Sequence, residues 1–307
     1  MVAFQGGSFA GLGGTSTRLL PQTASLNYSG DGWSLSTRVQ SFQVLQDTDA
    51  AKKVVQPYQA IPDVRFNGQR LIAGLADSHV DASFTSFSLR YLPLATDPVR
   101  REGERFIFNP TFAVPIRNLW GYVEPRATLH SSYYALDPQP GAPNTFSRVI
   151  PTLSIDSGLL LERQLSEKGA LQTFEPRVFY AYTPYRDQSR IPVFDTGRYD
   201  FNFAEIFSAN RFVGQDRIGD ANQVTAGVTT RFIDEKGVER LKATLAQRFT
   251  LSDLKVGAVD DYLQTAAPKK GVSDILGEFS GRILDSTSVI SRVQYSPETS
   301  DLQKALV

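Results

Sequence analysis

The chain has 307 residues, and its 32 Lys+Arg balance 32 Asp+Glu, so the formal net charge is zero. That balance excludes the broadly basic surface a nucleic-acid partner needs, and no nucleic acid is expected. Cysteine is absent and His79 and His130 are the only histidines, so disulfides and thiolate sites are excluded, and neither a metal nor a cofactor is expected.

The opening MVAFQGGSFAGLGG has no basic n-region and no long apolar h-region, so it does not read as a signal peptide. Its glycines lack phosphate-loop spacing and a Lys-Ser/Thr pair, which leaves nucleotide binding unsupported. No window approaches the roughly 18 apolar residues of a membrane-spanning helix. From Trp33 onward the pattern has period two. Trp33, Leu35, Thr37 and Val39 oppose Ser34, Ser36, Arg38 and Gln40. Phe106, Phe108, Phe112, Val114 and Ile116 share one face. Val123, Pro125, Ala127 and Leu129 oppose Glu124, Arg126, Thr128 and His130. Val149, Leu153, Ile155, Leu159 and Leu161 oppose Thr152, Ser154, Asp156 and Glu162.

Phe174, Pro176, Val178, Tyr180 and Tyr182 then oppose Glu175 and Arg177, until the alternation stops at Pro184 and the charged run YRDQSRIP begins. Val224, Ala226, Val228 and Phe232 oppose Gln223, Thr225, Thr229 and Arg231. Leu241, Ala243, Leu245 and Phe249 oppose Lys242, Thr244 and Arg248; Ile275, Phe279 and Ile283 oppose Asp274, Glu278 and Arg282. This is strand patterning throughout. Only DFNFAEIFSANRF carries a helical spacing, through Phe203, Ile206 and Phe207.

The strands are long, often about ten residues where soluble strands average roughly five or six. The polar face carries full charges in mid-strand. Tyr and Trp cluster near strand ends, at Trp120, Tyr122, Tyr133, Tyr134, Tyr182 and Tyr185, as an interfacial girdle would require. Short connections such as Asp234–Gly237 and Asp285–Thr287 alternate with long ones such as Asp137–Phe146 and Thr183–Ala221. The fold class expected is all-β, a large antiparallel transmembrane barrel with apolar residues toward lipid and charges toward a wet lumen. The residues expected to face the lumen are Glu124, Arg126, Asp156, Glu162, Glu175, Arg177, Arg231, Lys242 and Arg248. Pro110, Pro125, Pro151 and Pro176 fall in mid-strand, where a missing donor marks a weak point in the ladder or a bulge. A soluble β-protein would share the alternation, and it predicts a stable monomer without detergent.

No catalytic site is expected. Asp195-Thr196-Gly197 matches the loop of an aspartic protease, but it has no second copy and reads as a turn. Asp216 and Asp220 flank Arg217 in GQDRIGDAN, which reads as a loop held by charge-assisted hydrogen bonds. His130 reads as a hydrogen-bonded histidine on a polar strand face.

The long-loop region carries a family resemblance. FEPR, YTPYRDQ, PVFD, EIF, NRFVGQDRIGDANQ and TTRF occur in an order that resembles the LPS-assembly protein family, LptD. PYQAIPDVRF and RVIPTLSIDSGLLLER upstream, and GVERLKATLAQRF and VQYSPETSDLQKALV downstream, are similar to further segments of that family. The resemblance implies an outer-membrane translocon that inserts lipopolysaccharide into the outer leaflet. It implies an LptE-type lipoprotein plug inside the barrel, a periplasmic lipopolysaccharide bridge protein as donor, and outer-membrane lipid around it. The cell location implied is the Gram-negative outer membrane. Residues 1–307 are expected to be one section of the barrel, of about a dozen strands, without the signal peptide, periplasmic jellyroll and C-terminal strands. A passive porin-like channel is the alternative. Tyr185, Arg186, Asp187 and Gln188, with Arg217, Asp220, Asn222 and Gln223, are expected to form a polar loop network that contacts the plug or orders its own loop.

Overall fold

A computed structural model describes residues 18–45, 54, 56–90, 100–199, 201–260, 263–265, 267–284 and 287–306. MVAFQGGSFAGLGG, Asp285 and Val307 lie outside them. In chain order the strands begin with β1 (Leu19–Gly30), β2 (Trp33–Val44), β3 (Gln59–Ile72), β4 (Ala76–Ser88) and β5 (Gly103–Ala113). Then come β6 (Ile116–Asn118), β7 (Gly121–Leu136), β8 (Thr145–Leu159), β9 (Leu161–Gln164) and β10 (Leu171–Thr183). A small hairpin, β11 (Gly197–Arg198) and β12 (Phe212–Val213), interrupts before β13 (Ala221–Ile233) and β14 (Glu239–Thr250). The last are β15 (Ala258–Asp260), β16 (Leu263–Thr265), β17 (Gly271–Val272), β18 (Ile275–Leu284), β19 (Thr287–Ser296) and β20 (Asp301–Leu306).

One antiparallel sheet of 16 strands runs β1-β2-β3-β4-β5-β7-β8-β10-β13-β14-β18-β19-β20, with β6, β9 and β17 attached beside that path. Every strand on the path pairs with its next neighbour in sequence, the meander of an up-and-down barrel wall. Among the described residues no ladder joins β20 to β1. The architecture is therefore all-β and antiparallel, a partial barrel of the expected size. No helix of the described residues is long and apolar enough to cross a membrane.

The faces are inverted relative to a soluble sandwich. Phe106, Phe108 and Phe112 on β5, Val149, Leu153 and Ile155 on β8, Phe174 and Val178 on β10, and Leu245 on β14 are exposed. The opposite face buries Arg105, His130, Ser132, Arg148, Thr173, Gln223 and Thr225 beside Ile107, Tyr134, Ile150 and Phe179. We call these the bare face and the covered face. In water such a bare face is an unpaid hydrophobic cost; next to hydrocarbon it is the low-energy arrangement.

Connection length sorts by end. The turns β1–β2, β3–β4, β6–β7, β9–β10 and β13–β14 are short and share one end, while β2–β3, β4–β5, β7–β8, β10–β13 and β14–β18 connect through longer segments at the other, where the four-residue β19–β20 turn is the exception.

The four mid-strand prolines do not make bulges. Each sits where one flanking ladder is interrupted or has ended: Pro110 beside the break between Phe108↔Ser131 and Thr111↔Thr128, and Pro125 beside the break between β5 and β6. Pro176 lies beside the gap between β8 and β9, and Pro151 lies past Leu153↔Tyr182, where pairing with β10 stops. The missing N–H thus removes no bond on that side. The helical spacing at DFNFAEIF gives turns and no helix over its described residues, 201–207. Ile206 N donates to Asn202 O at 2.9 Å, but the following carbonyls are taken by a guanidinium described below.

Candidate functional site

The β10–β13 connection folds over the covered face and is fixed there at two places. The first is an ionic latch. Arg105 on β5 and Tyr134 on β7 lie opposite each other in register, and Arg148 on β8 lies opposite Ser132. All three side chains are buried. Arg105 donates Nη1 and Nη2 to the two oxygens of Asp195 at 2.7 and 2.6 Å, and Nη1 also to Asp216 Oδ1 at 2.7 Å. Asp216 further accepts from Tyr134 OH at 3.1 Å, Phe194 N at 2.7 Å and Asp195 N at 3.0 Å. Thr196 Oγ1 accepts from Asp216 N at 2.9 Å and Arg217 N at 3.3 Å. Arg148 donates to Asp216 O at 2.6 Å and to Gln215 O, and its Nη2 lies 3.2 Å from His130 Nε2.

Apolar contacts brace the latch. Phe194 stacks on Phe87 of β4 with centroids 4.2 Å apart, and meets Tyr58 edge-on at 5.0 Å. Gly214 is at φ 75°, and a Cβ there would meet Asp195 O at 2.5 Å, so glycine is required where the loop doubles back.

The second fixation is the loop tip. Ile206 is fully buried against Ala246 on β14 and Leu276 on β18, with Phe201, Phe203 and Phe207 around it. Arg248 on β14 donates to Glu205 O at 2.7 Å and Ile206 O at 2.6 Å, and Thr225 Oγ1 on β13 donates to Ile206 O at 2.8 Å. The Arg177 guanidinium on β10 lies 4.2 Å from the Phe207 ring centroid. One loop therefore touches eight consecutive strands of the path, β4, β5, β7, β8, β10, β13, β14 and β18.

Electrostatics decide which end can loosen. Partial burial pushes the Asp195 carboxyl up, but the charge and hydrogen bonds of Arg105 outweigh it and hold it down at about 2. Asp195 keeps a side chain 32% exposed, whereas Asp216 is sealed. Burial lowers the guanidinium pKa of Arg211 and of Arg217 from its ordinary value.

The candidate network residues divide. Gln188 is buried; its Nε2 donates to Ile218 O at 2.8 Å, and its Oε1 accepts from Ile218 N at 3.0 Å and from Arg148. Arg217 donates to Ile191 O at 2.8 Å. Asp220 accepts from Arg211 at 3.0 Å and from the backbone N–H of Lys255 and Val256. Gln223 donates to Ser208 O at 3.0 Å. Tyr185, Arg186 and Asp187 are exposed; Asp187 only caps Ser189 N, at 3.0 Å. Asn222 lies on the other face, accepting from Tyr180 OH at 3.2 Å.

The other candidates occupy the covered face toward the short-turn end, mostly as ion pairs. Glu124 pairs with Arg126 at 2.6 Å, and Asp156 with Arg177 at 2.5 Å. Arg231 bridges Glu175 at 3.3 Å and Glu239 at 3.4 Å, and Lys242 reaches Glu278 at 3.4 Å. Glu162 is exposed, at the register of Thr173. The result is a polar inner lining with its charges locally neutralised. Among the described residues no group of His, Asp and Glu could hold a metal.

Sequence reasoning missed Arg105 and Arg148, placed Tyr134 among the strand-end aromatics although it is buried on the covered face, and set Asp195 and Thr196 aside as a turn. The available signal was a charge or hydroxyl at the same strand parity as buried Ile107 and Ile150. Such a residue must find a partner, and the loop supplies it.

Comparison with known proteins agrees with this architecture. The profile of the family described as LptD, LPS transport system D, matches residues 5–307. An LPS-assembly protein LptD from Thiobacillus denitrificans is 38% identical over 255 residues, 82% of this chain and 33% of that protein. Its namesake from Azoarcus sp. is 40% identical over 282 residues, covering 89% and 33%. One from Cupriavidus necator is 35% identical over 293 residues, covering 92% and 35%. The chain thus spans about a third of the length of the curated relatives it matches. With its inverted faces and sequential antiparallel wall, the chain belongs to the LptD family of LPS-assembly proteins.

Proposed function

We propose that this chain is a section of the wall of an outer-membrane barrel that delivers lipopolysaccharide to the outer leaflet. The observation that carries the reading is the inverted sheet: an exposed apolar face opposite a polar, charge-paired one, in a chain of this family. The bare face meets hydrocarbon, and the covered face lines the passage. On the usual barrel orientation the short turns face the periplasm and the long loops face outward. The β10–β13 loop then caps the passage from the outer side.

The family relation also supports an LptE-type plug inside the complete barrel and a periplasmic bridge that hands over the lipid. Tyr185, Arg186 and Asp187, exposed and unused by the latch, are the loop residues free to meet that plug. A passive porin-like channel is not favoured, because a buried loop crosses the covered face of eight strands. No bond chemistry is assigned to the chain.

The test is photo-crosslinking in the full-length protein in growing cells. A photoreactive residue at Lys242 or Arg231 should capture lipopolysaccharide, and one at Leu245 on the bare face should not. Equal capture from both faces, or none from the covered face, would overturn the reading. A probe at Tyr185 reports the plug contact separately.

A further inference from the structure

Hairpin turns of membrane barrels and soluble sheets alike are built from polar residues and glycine. Three of the short turns here obey: Asp31-Gly32, Ser166-Glu167-Lys168-Gly169 and Asp234-Glu235-Lys236-Gly237. Two do not. The β3–β4 turn is Ala73-Gly74-Leu75, and the β6–β7 turn is Leu119-Trp120. These two hairpins are neighbours, because β4 pairs with β5 and β5 with β7.

The apolar tips are ordered and exposed. Leu75 is 72% exposed, Leu119 98% and Trp120 60%. Ala73 and Gly74 hold the first turn with φ of 50° and 69°. Asn118 Oδ1 accepts from Trp120 N at 3.0 Å and Gly121 N at 2.8 Å and fixes the second. Neither turn uses its apolar side chains to build the hairpin, so their conformation does not require them. The apolar surface is continuous with the bare face through Ile72, Phe112, Val114 and Ile116, all exposed. One cation flanks the tips on the bare side: Arg70 is exposed and shares the strand parity of Ile72; Arg117 has the covered-face parity and lies 3.6 Å from Glu124.

Apolar tips, a tryptophan and a long cation at the margin of a lipid-facing surface have one matching environment. It is the boundary where acyl chains meet phosphate headgroups. We infer that the adjacent tips Ala73–Leu75 and Leu119–Trp120 insert into the acyl–headgroup boundary of the leaflet at the short-turn end, where Arg70 reaches lipid phosphates. This sector of the wall is held deeper in that leaflet than the sectors ending in Asp31-Gly32 or Asp234–Gly237. The inference rests on the barrel reading above.

The test uses the full-length protein in phospholipid vesicles, with single nitroxide labels placed through Leu75→Cys, Leu119→Cys, Glu235→Cys and Leu245→Cys. Collision with oxygen reports lipid, and collision with a nickel chelate reports water. Labels at 75 and 119 are expected to show a severalfold higher oxygen-to-nickel ratio than the label at 235, as the label at 245 does. If 75 and 119 match 235 while 245 stays in lipid, the tips stand in water and the inference fails alone. If neither reagent reaches 75 or 119, protein covers them and the inference fails as well. A water-exposed label at 245 would overturn the barrel reading itself.

Discussion

Arg105 is the side chain on which the loop latch depends. It satisfies Asp216, which is sealed from solvent, and Asp195, which is not. Removing one partner of a buried pair leaves an uncompensated charge, at a cost of about 3–5 kcal/mol. Arg105→Ala should therefore lower the unfolding midpoint of the full-length barrel and open the β10–β13 loop to protease. Asp195→Asn should do much less, because water can reach that carboxyl. Loss of loop protection is read by cleavage between residues 184 and 220. Acid tests the same contact. The folded pKa of Asp195 lies below its ordinary value of 3.8, at about 2. Its stabilisation is thus fully present above pH 4 and is lost as the pH falls toward 2. Pepsin cleavage of the loop should rise through that window, and Asp195→Asn should flatten the rise.

At the scale of elements, the loop tip is a shape fit. Gly227 on β13 sits under Phe207, where an added Cβ would lie 2.9 Å from the ring and 3.2 Å from Ala246 Cβ. Gly227→Ala should overpack this contact and cost about 1–3 kcal/mol, weakening protection at residues 201–208 in hydrogen exchange while leaving the Asp195 latch in place. The strands themselves were legible in the sequence, because each repeats one rule along its length. Phe174, Val178 and Tyr182 all came out on the bare face, as their spacing required. The latch was not legible. Arg105 and Asp216 are 111 residues apart, and no periodicity links them. Asn222 was misassigned to the network for a related reason. It adjoins Gln223 in a motif, but consecutive residues of a strand point to opposite faces. Asp195-Thr196-Gly197 does lie in a tight loop, yet local turn chemistry said nothing of the guanidinium waiting on another strand.

At the scale of the molecule, the faces differ in what they tolerate. Leu245 lies in mid-strand on the bare face, and Leu245→Arg should cost about 2–4 kcal/mol in a bilayer. Thr244→Arg, one position away on the covered face, should cost much less. Urea unfolding of both variants of the full-length protein in lipid vesicles checks the difference. Equal costs would mean that the two faces meet the same medium.

The long reach of the loop also sets an order of events during biogenesis. A wall whose strands pair only with sequence neighbours can be laid down hairpin by hairpin, and even the long β10–β13 connection adds little, because closure entropy grows slowly with loop length. The cap cannot join in piecemeal. Its latch needs β5, β7 and β8, while its tip needs Ala246 on β14 and Leu276 on β18. It can dock fully only after β18 has been added. Docking of the cap is thus a built-in completion signal for this part of the wall: a barrel stalled before β18 leaves the Ile206 tip unseated and open to quality-control proteases.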